Sequence, residues 1–270
     1  MPHQGDVYNR TSFWQGDRWE DLVALVERSS LDMGGVAQLL DMGCRTGKQT
    51  KALLSVFRNL QRIEAVDASV PMLETARREN ADPRILYKEL SPEKVGNLGM
   101  VFDVVCSNYA LHWIENKQAV MEGLNKVTCK GSYLMMGTCQ DLPQILWDVD
   151  TFMRREFKIG EDVPAPFHYL DLVDWANLLQ KYGWRIEAVH AKHDDHYASN
   201  AREYLEHWVA ASTQKICYGN WYDDLSDNQK NLMLKDILAK YRYHDDKDKD
   251  GESALLFKEE TLLLVARRIV

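Results

Sequence analysis

Short apolar runs alternate with amphipathic stretches along the first half of the chain. Runs bounded by polar or turn residues predict buried strands, because a central strand of a covered sheet is apolar on both faces. The stretches between them space apolar residues three or four positions apart, as one face of a helix does. The predicted strands are 37–42, 62–66, 84–88, 101–107 and 132–137, and the predicted helices are 48–58, 70–80 and 117–127.

This alternation predicts the α/β class, with a parallel sheet covered by helices on both faces. After residue 137 the pattern changes and helices dominate. The predicted helices there are 141–157, 170–182, 201–212 and 228–241, and the predicted strands are 184–190 and 261–269. No Gly/Ser-rich linker separates the halves, so we interpret residues 1–270 as one domain and the later helices as insertions on one sheet.

The composition excludes several classes of function. The 270 residues include 33 Lys and Arg against 41 Asp and Glu, for a formal net charge of −8. Nucleic-acid binding needs clustered Lys and Arg, and no long basic run is present, which also argues against a membrane surface as partner. No apolar run approaches the ~18 residues of a membrane span and the first residues are polar, so we expect a cytoplasmic protein, either a monomer or a homodimer.

The cysteines and the acidic tail do not indicate metal chemistry. The chain has five cysteines and no C-x-x-C pair, which favours reduced thiols over disulfides or a zinc site. Residues 246–251 (DKDKDG) resemble the start of a calcium loop. The twelfth position of that loop would be Phe257, where calcium binding requires a Glu. We therefore predict no metal.

The most specific local signal is a strand that runs into a glycine-containing turn, residues 39–47 (LLDMGCRTG). Glycine at a strand end lets the backbone turn tightly and approach a ligand, and the N–H groups of the next helix then face that ligand. The following strand ends in Asp67, where a carboxylate can accept hydrogen bonds from both hydroxyls of a ribose. This order of elements predicts a nucleoside site.

Two other nucleotide-binding motifs do not match. The phosphate-binding pattern G-x-x-x-x-G-K-[ST] would need Gly at position 42 and Ser or Thr at position 49, where the chain has Met42 and Gln49. The dinucleotide pattern G-x-G-x-x-G fails because Arg45 stands two residues after Gly43. Nucleotide hydrolysis and hydride transfer are therefore disfavoured.

The segments LLDMGCRTG, VDAS and FDVVCSNYALHWI together resemble the class I S-adenosylmethionine-dependent methyltransferases. The resemblance covers about residues 8–137, and TLLLVARR at 261–268 is similar to the family's closing antiparallel strand. It implies a Rossmann-like, doubly wound, mainly parallel seven-stranded sheet. Residues 1–140 would then form the cofactor-binding half, 141–260 a helical lid with the substrate pocket and late strands, and 261–270 the closing strand.

The resemblance also implies a set of cofactor-binding residues. Asp41 and Gly43 would lie beside the methionine end, Asp67 would bind the ribose, and Glu89 with Leu90 would frame the adenine. Tyr8 and Trp14 would cover the cofactor. The complete predicted set is Tyr8, Trp14, Asp41, Gly43, Arg45, Gly47, Asp67, Ala68, Glu89, Leu90, Asn108 and Tyr109.

The segment SNYALHWI (107–114) narrows the resemblance to carboxyl methyltransferases that act on juvenile hormone acid, trans-aconitate or malonyl-carrier protein. The N-terminal VYNRTSFWQGDRWEDL is similar to the opening of the juvenile hormone acid type. By this resemblance Gln15 and Trp113 donate hydrogen bonds to the substrate carboxylate, and His112 lies at the pocket wall. Structural alternatives remain open, since Trp113 and Tyr109 could serve core packing and His112 a structural hydrogen bond.

Arg45 departs from the family pattern, which usually has Gly at this position. Three alternatives are open: the side chain points to solvent, it pairs with the carboxylate of the cofactor, or it obstructs the cofactor. A non-glycine residue with positive φ would add strain of about 1–3 kcal/mol. A catalytically inactive, methyltransferase-like binding protein is the corresponding alternative function.

The expected acceptor is a small, lipophilic carboxylic acid. A carboxylate with a pKa near ~4 is ionised at neutral pH and needs no general base, only alignment with the S–CH₃ bond. The many aromatic residues after position 140 favour a lipophilic acid over a tricarboxylate, for which Arg clusters would be expected. A hydroxyl or carbon acceptor in a specialised metabolite is the alternative, and His112 would then be the candidate base.

Overall fold

A computed structural model describes residues 9, 15–141, 144–157, 168–198, 225–241 and 255–270. Its strands form one seven-stranded sheet in the order β3-β2-β1-β4-β5-β7-β6. The first five strands run parallel, and β7 lies antiparallel between β5 and β6. The strands are β1 (Gln38–Met42), β2 (Arg62–Asp67), β3 (Ile85–Glu89), β4 (Val104–Asn108), β5 (Tyr133–Cys139), β6 (Trp184–Ala198) and β7 (Leu255–Arg268).

Helices cover both faces of this sheet, as the alternating pattern predicts. Buried residues of α1, α2 and α3 pack on one face, and those of α4 and α6 pack on the other. The described helices are α1 (Gln15–Glu27), α2 (Lys48–Val56), α3 (Val70–Glu79), α4 (Lys117–Val127), α5 (Gln144–Phe157), α6 (Leu172–Lys181) and α7 (Asp227–Tyr241), with 3₁₀ turns at Met33–Gly35, Pro92–Asn97 and Leu111–Trp113. The α/β, doubly wound, Rossmann-like fold is therefore confirmed.

Several helices begin at residues whose side chains bind the free N–H groups of the first turn. The Asn116 side chain accepts a hydrogen bond from the Ala119 N–H at 3.0 Å, which begins α4. The Asp171 carboxylate accepts one from the Asp174 N–H at 2.8 Å, which begins α6. These N-caps fix the first residues of α4 and α6, which lie within two residues of the predicted starts.

The last two strands differ from the prediction at their free ends. β6 continues to Ala198 rather than ending at residue 190, and β7 begins at Leu255 rather than Thr261. β5 ends opposite Thr261, whereas β6 and β7 remain paired with each other as far as Ala198 and Leu255. A two-stranded ribbon thus extends beyond the edge of the sheet, and the predicted start of the closing strand is wrong because its register partner lies about 60 residues earlier in the chain.

β1 is the point at which the order of the strands reverses. It pairs with β2 on one side and with β4 on the other. In open parallel sheets a crevice forms at the carboxyl ends of the two strands that flank this point. β1 finishes with Asp41 and Met42, next to the carboxyl ends of β2 and β4. The predicted site residues therefore lie together at this edge of the sheet.

No helix in the described part of the chain is long and apolar enough to span a membrane. The same residues contain no group of His, Cys, Asp and Glu side chains that could hold a metal ion. The acidic segment 246–251 and the predicted helix 201–212 lie outside the described residues.

Candidate cofactor and acceptor site

The turn after β1, residues 43–47, is termed the β1 loop. The N–H groups of Gly43 and Cys44 both donate to the Val66 carbonyl of β2, at 2.8 and 3.1 Å. Gly43 and Gly47 have φ angles of +78° and +75°, which glycine adopts without a steric penalty. A Cβ on Gly43 would lie only 2.1 Å from the Cβ of Ala110, so the turn is closed against the chain that follows β4.

Asp67 lies at the end of β2 and organises the β1 loop. One of its carboxylate oxygens accepts a hydrogen bond from the Arg45 N–H and the other from the Ser69 N–H, both at 2.8 Å. Burial raises the pKa of this carboxyl group, and the two N–H donors oppose that rise. Each oxygen keeps a second lone pair, so the carboxylate can accept further hydrogen bonds from a ligand.

The end of β3 lies directly beside Asp67. Glu89 is its register partner across the parallel pair, and the Leu90 N–H donates to the Asp67 carbonyl at 3.0 Å. Glu89 and Ala68 are exposed and Leu90 is half-buried. The structure thus brings the predicted ribose and adenine residues together at adjacent strand ends.

Asp41 is a second carboxyl group in the crevice. It is 5 % exposed, and the Thr50 hydroxyl donates to it at 2.6 Å. Burial raises its pKa to about 7; the charge of Asp67 adds to this rise, while the Thr50 hydrogen bond and the Arg45 charge oppose it. A carboxyl group with so high a pKa is stabilised as an anion when a cation binds beside it.

Arg45 connects the β1 loop to the chain that follows β4. Its φ angle is +51°, and a guanidinium nitrogen donates a hydrogen bond to the Tyr109 carbonyl. The residue is only half-exposed, and its positive charge lowers the pKa of both Asp41 and Asp67. Of the three alternatives for this side chain, the one in which it points to solvent is therefore wrong.

Residues 109–114 form the second turn at the crevice, termed the β4 loop. Tyr109 also has a positive φ, +55°, and its N–H donates to the Gly137 carbonyl at 2.7 Å. The Asn108 side-chain N–H donates to the Gln49 side-chain oxygen at 3.1 Å. The Asn108 oxygen is buried and has no hydrogen-bond partner among the described residues, which leaves an acceptor at the end of β4 for a ligand.

His112 is buried within a group of aromatic side chains. The Tyr169 ring stacks on it at 5.7 Å and an interplanar angle of 12°, and the Trp113 ring lies 5.1 Å away. The Nδ1 atom is 3.4 Å from the Thr138 hydroxyl. Burial, with smaller contributions from the Arg45 and Lys117 charges, holds the pKa of His112 well below its ordinary value, so the imidazole is neutral at pH 7.

Arg18 supports the β4 loop, although nothing in the sequence singled it out as a site residue. This arginine of α1 is 2 % exposed and forms an ion pair with Glu259 at 2.6 Å. It also donates to the Thr261 hydroxyl at 3.0 Å, and that hydroxyl lies 2.8 Å from the Tyr109 hydroxyl. An arginine among the apolar residues of 15–27 was a weak signal, because no helix was predicted there and the partners of Arg18 lie far away in the sequence.

Lys117 was also missed. Its Nζ donates to the Ile114 carbonyl at 2.7 Å and to the His168 carbonyl, and burial lowers its pKa to about 8. The His168 N–H in turn donates to the His112 carbonyl at 2.8 Å. Lys117 therefore holds the segment that contains His168 and Tyr169 against the β4 loop.

The remaining predicted residues have no described side chain. Gln15 begins α1, but its side chain lies outside the described residues, as do Tyr8 and Trp14. The residues that are described fit an adenosyl amino acid. They offer carboxylates at the ends of β2 and β3, an orphaned amide oxygen at the end of β4, and a fixed guanidinium between the two loops.

Residues 40–136 match the profile of a family described as a methyltransferase domain. An uncharacterized methyltransferase of Schizosaccharomyces pombe is 25% identical over 84% of this chain and 87% of its own length. A trans-aconitate 2-methyltransferase of Enterobacter sp. is 25% identical over 93% of this chain and 94% of its own length. A malonyl-[acyl-carrier protein] O-methyltransferase of Paenibacillus sp. is 26% identical over 43% of each chain.

Solved structures show the same fold. A methyltransferase-like protein from Bacillus halodurans superposes with a TM-score of 0.59, at 18% identity, over 93% of this chain and 100% of that chain. The matched profile spans β1 to β5, the strands that build both loops of the crevice. Residues 40–136 therefore form a methyltransferase domain, in agreement with the resemblance that the glycine turn and the SNYALHWI segment carry.

Proposed function

We propose that this methyltransferase forms the methyl ester of a small, lipophilic carboxylic acid. The observation that carries the proposal is the β4 loop, where a buried, neutral His112 lies among aromatic rings directly beside the β1 loop. A carboxylate is ionised at neutral pH and can act as a nucleophile in such a site without losing a proton. The relatives named malonyl-[acyl-carrier protein] O-methyltransferase and trans-aconitate 2-methyltransferase support the same class of acceptor.

We infer that the cofactor lies across the crevice, with its ribose at Asp67 and its adenine between Glu89, Leu90 and Ala68. The methionine end would then lie between the β1 and β4 loops, near Asp41 and Asn108. Gly43 and Gly47 would let the backbone approach, and Tyr8 and Trp14 would cover the ligand. The buried Asp41 carboxylate and the Asn108 amide oxygen are suitable acceptors for an ammonium group.

When bound, the cofactor supplies an electrophilic methyl group on a sulfonium. That methyl group would pass to one carboxylate oxygen of the acceptor, and the S–C bonding electron pair would stay on the sulfur of S-adenosylhomocysteine. The role of this chain is to hold the carboxylate on that axis and to exclude water. We assign the orienting hydrogen bonds to Gln15 and to the indole N–H of Trp113, which leave the attacking oxygen a free lone pair.

The charges of the lid favour an apolar acid over one with several carboxylates. Arg154 and Arg155 form the arginine pair of the lid, and both already have partners. Arg154 pairs with Asp150 and Arg155 with Glu156, each at 2.8 Å. A tricarboxylate would need unpaired cations at the pocket, whereas an isoprenoid or long-chain acid needs apolar surface.

A second candidate function is methylation of a hydroxyl or a carbon of a specialised metabolite. The neutral state of His112 favours it, because a neutral imidazole can accept the proton that such an acceptor must lose. The low pKa opposes it, because a weakly basic imidazole is a poor match for a hydroxyl with a pKa near ~10.

Isotopic labelling distinguishes these functions. The protein is incubated with methyl-labelled S-adenosylmethionine and a panel of apolar monocarboxylic acids, a tricarboxylic acid and phenols, and the products are treated with mild base. We expect label transfer to an apolar acid and release of labelled methanol, because esters hydrolyse and ethers do not. Trp113→Phe is the matched variant: it keeps the aromatic ring, removes the indole donor and should raise KM for the acid by about tenfold. A product that is entirely stable to base would refute carboxyl methylation.

A further inference from the structure

The backbone of Arg45 is fixed within the β1 loop. Its N–H is bound to the Asp67 carboxylate at 2.8 Å, and its φ of +51° lies in the left-handed region. This conformation is strained for any residue with a side chain, by about 1–3 kcal/mol. Glycine would avoid the strain, so the guanidinium at this position needs a compensating role.

The Arg45 side chain reaches from the β1 loop to the β4 loop. It donates to the Tyr109 carbonyl, and its charge acts on groups around the whole crevice. It lowers the pKa of Asp41, Asp67 and His112 together.

The charges of the amino-acid end of the cofactor complement this arrangement. That end carries one ammonium and one carboxylate, and Asp41 with the Asn108 oxygen can receive the ammonium. The carboxylate then needs a cation at the β4 side of the β1 loop. Arg45 supplies one with planar N–H donors that match a carboxylate.

We propose that Arg45 binds the α-carboxylate of the cofactor and makes this enzyme selective for ligands that carry it. The proposal rests on the cofactor part of the proposed function and does not depend on the acceptor. The Tyr109 carbonyl accepts a hydrogen bond from the guanidinium, so the side chain is positioned before the ligand binds. The alternative, in which Arg45 obstructs the cofactor, makes the opposite prediction for removal of the side chain.

Calorimetry with two ligands and three proteins tests the proposal. The ligands are S-adenosylhomocysteine and its decarboxylated analogue, which has an aminopropyl group in place of the amino acid. The proteins are the wild type, Arg45→Gly and Lys48→Gln. Gly accepts the positive φ, so Arg45→Gly should stay folded, which its unfolding midpoint verifies. Lys48 is exposed at the start of α2, directly after the β1 loop, and controls for a general loss of positive charge nearby.

We expect the wild type to bind S-adenosylhomocysteine about 10- to 100-fold more tightly than the decarboxylated analogue. Arg45→Gly should reduce this preference to about threefold through weaker binding of S-adenosylhomocysteine alone, and Lys48→Gln should keep it. An unchanged preference in Arg45→Gly, or tighter binding of S-adenosylhomocysteine by that variant, would overturn the proposal. Since no acceptor is present, failure of ester formation in the labelling experiment would leave this result unaffected.

Discussion

The β1 and β4 loops lie against each other at the same edge of the sheet, yet they are held by different means. Both follow a parallel strand, and both contain a non-glycine residue at positive φ, Arg45 and Tyr109. The β1 loop is fixed by backbone N–H groups that bind the carbonyl of Val66 and the carboxylate of Asp67, on the adjacent strand. The β4 loop has one such bond, from the Tyr109 N–H to the Gly137 carbonyl, and is otherwise fixed by side chains from distant parts of the chain.

This difference explains why one loop could be assigned from sequence and the other only in part. The β1 loop depends on glycines and one acidic residue within a single βαβ unit, so its chemistry is visible in a short segment. Tyr109 depends on Thr261 of β7, and His112 depends on Tyr169 and on the Lys117 contact to His168. Such contacts have no local signature, because the fold alone brings those residues together.

The closest approach of the two loops gives the largest expected effect. Gly43→Ala places a Cβ 2.1 Å from the Cβ of Ala110 and also forces Ala to a φ of +78°. We expect a loss of about 3 kcal/mol or more in the free energy of unfolding, measured in urea. Gly99→Ala is the matched control, because Gly99 has a φ of +69° and no atom within 4 Å of the added Cβ. That control should lose only about 1–2 kcal/mol, and equal losses would show that the loops can separate freely.

Rising pH is expected to destabilise the β1 loop through Asp41. Its pKa is about 7 in the folded chain, mainly because of burial, against an ordinary value of 3.8. The folded state therefore binds more protons between these values, and stability falls as pH rises from about 4 to 7, by up to about 1.4 kcal/mol per pH unit. Asp41→Asn should remove this contribution, so between about pH 4 and 7 the unfolding free energy of the variant should rise more with pH than that of the wild type, in which Asp41 and His112 act in opposite directions. An unchanged slope in the variant would place the titrating group elsewhere.

Falling pH is expected to destabilise the β4 loop through His112. Burial holds the pKa of this imidazole well below its ordinary value of 6.5, so the unfolded state takes up a proton that the folded state refuses. The stabilisation is complete above about pH 6.5 and is lost as pH falls below it, by up to about 1.4 kcal/mol per pH unit. His112→Asn should remove this acid-side loss and leave the Asp41 slope intact. If His112→Asn also changed the contribution of Asp41 to the pH dependence, the two groups would titrate as one coupled unit.

The same contrast shows how far the sequence determines the fold and the site. The five parallel strands and α4 follow from apolar periodicity, since each is buried by neighbours in its own βαβ unit. Apolar periodicity does not predict that β4 starts at Val104 rather than at residue 101. Val101 is apolar, but it is 50 % exposed and precedes the hydrogen-bonded pairing of the strand. The ribbon beyond Cys139 could not be predicted either, as its length depends on the mutual register of β6 and β7.

The smallest expected effect concerns Lys117, which holds the segment 168–169 against the β4 loop. Lys117→Met keeps the length and apolar stem of the side chain but removes the donor to the Ile114 and His168 carbonyls. Tyr169 would then be held less firmly against His112, so we expect KM for the acceptor to rise about three- to tenfold. The affinity for S-adenosylhomocysteine should not change, because the contact lies on the acceptor side.

Lys117→Arg is the matched control for that variant. Arginine retains donors for both carbonyls, so this variant should keep KM within about twofold of the wild type. If KM depended on the packing of the lysine side chain instead, Lys117→Arg would raise KM as well. Steady-state kinetics and calorimetry on the same three proteins separate the two loops. If Lys117→Met weakened cofactor binding as much as acceptor binding, the β1 and β4 loops would act as one rigid site, and Arg45, which joins them through the Tyr109 carbonyl, would be the residue that transmits the change.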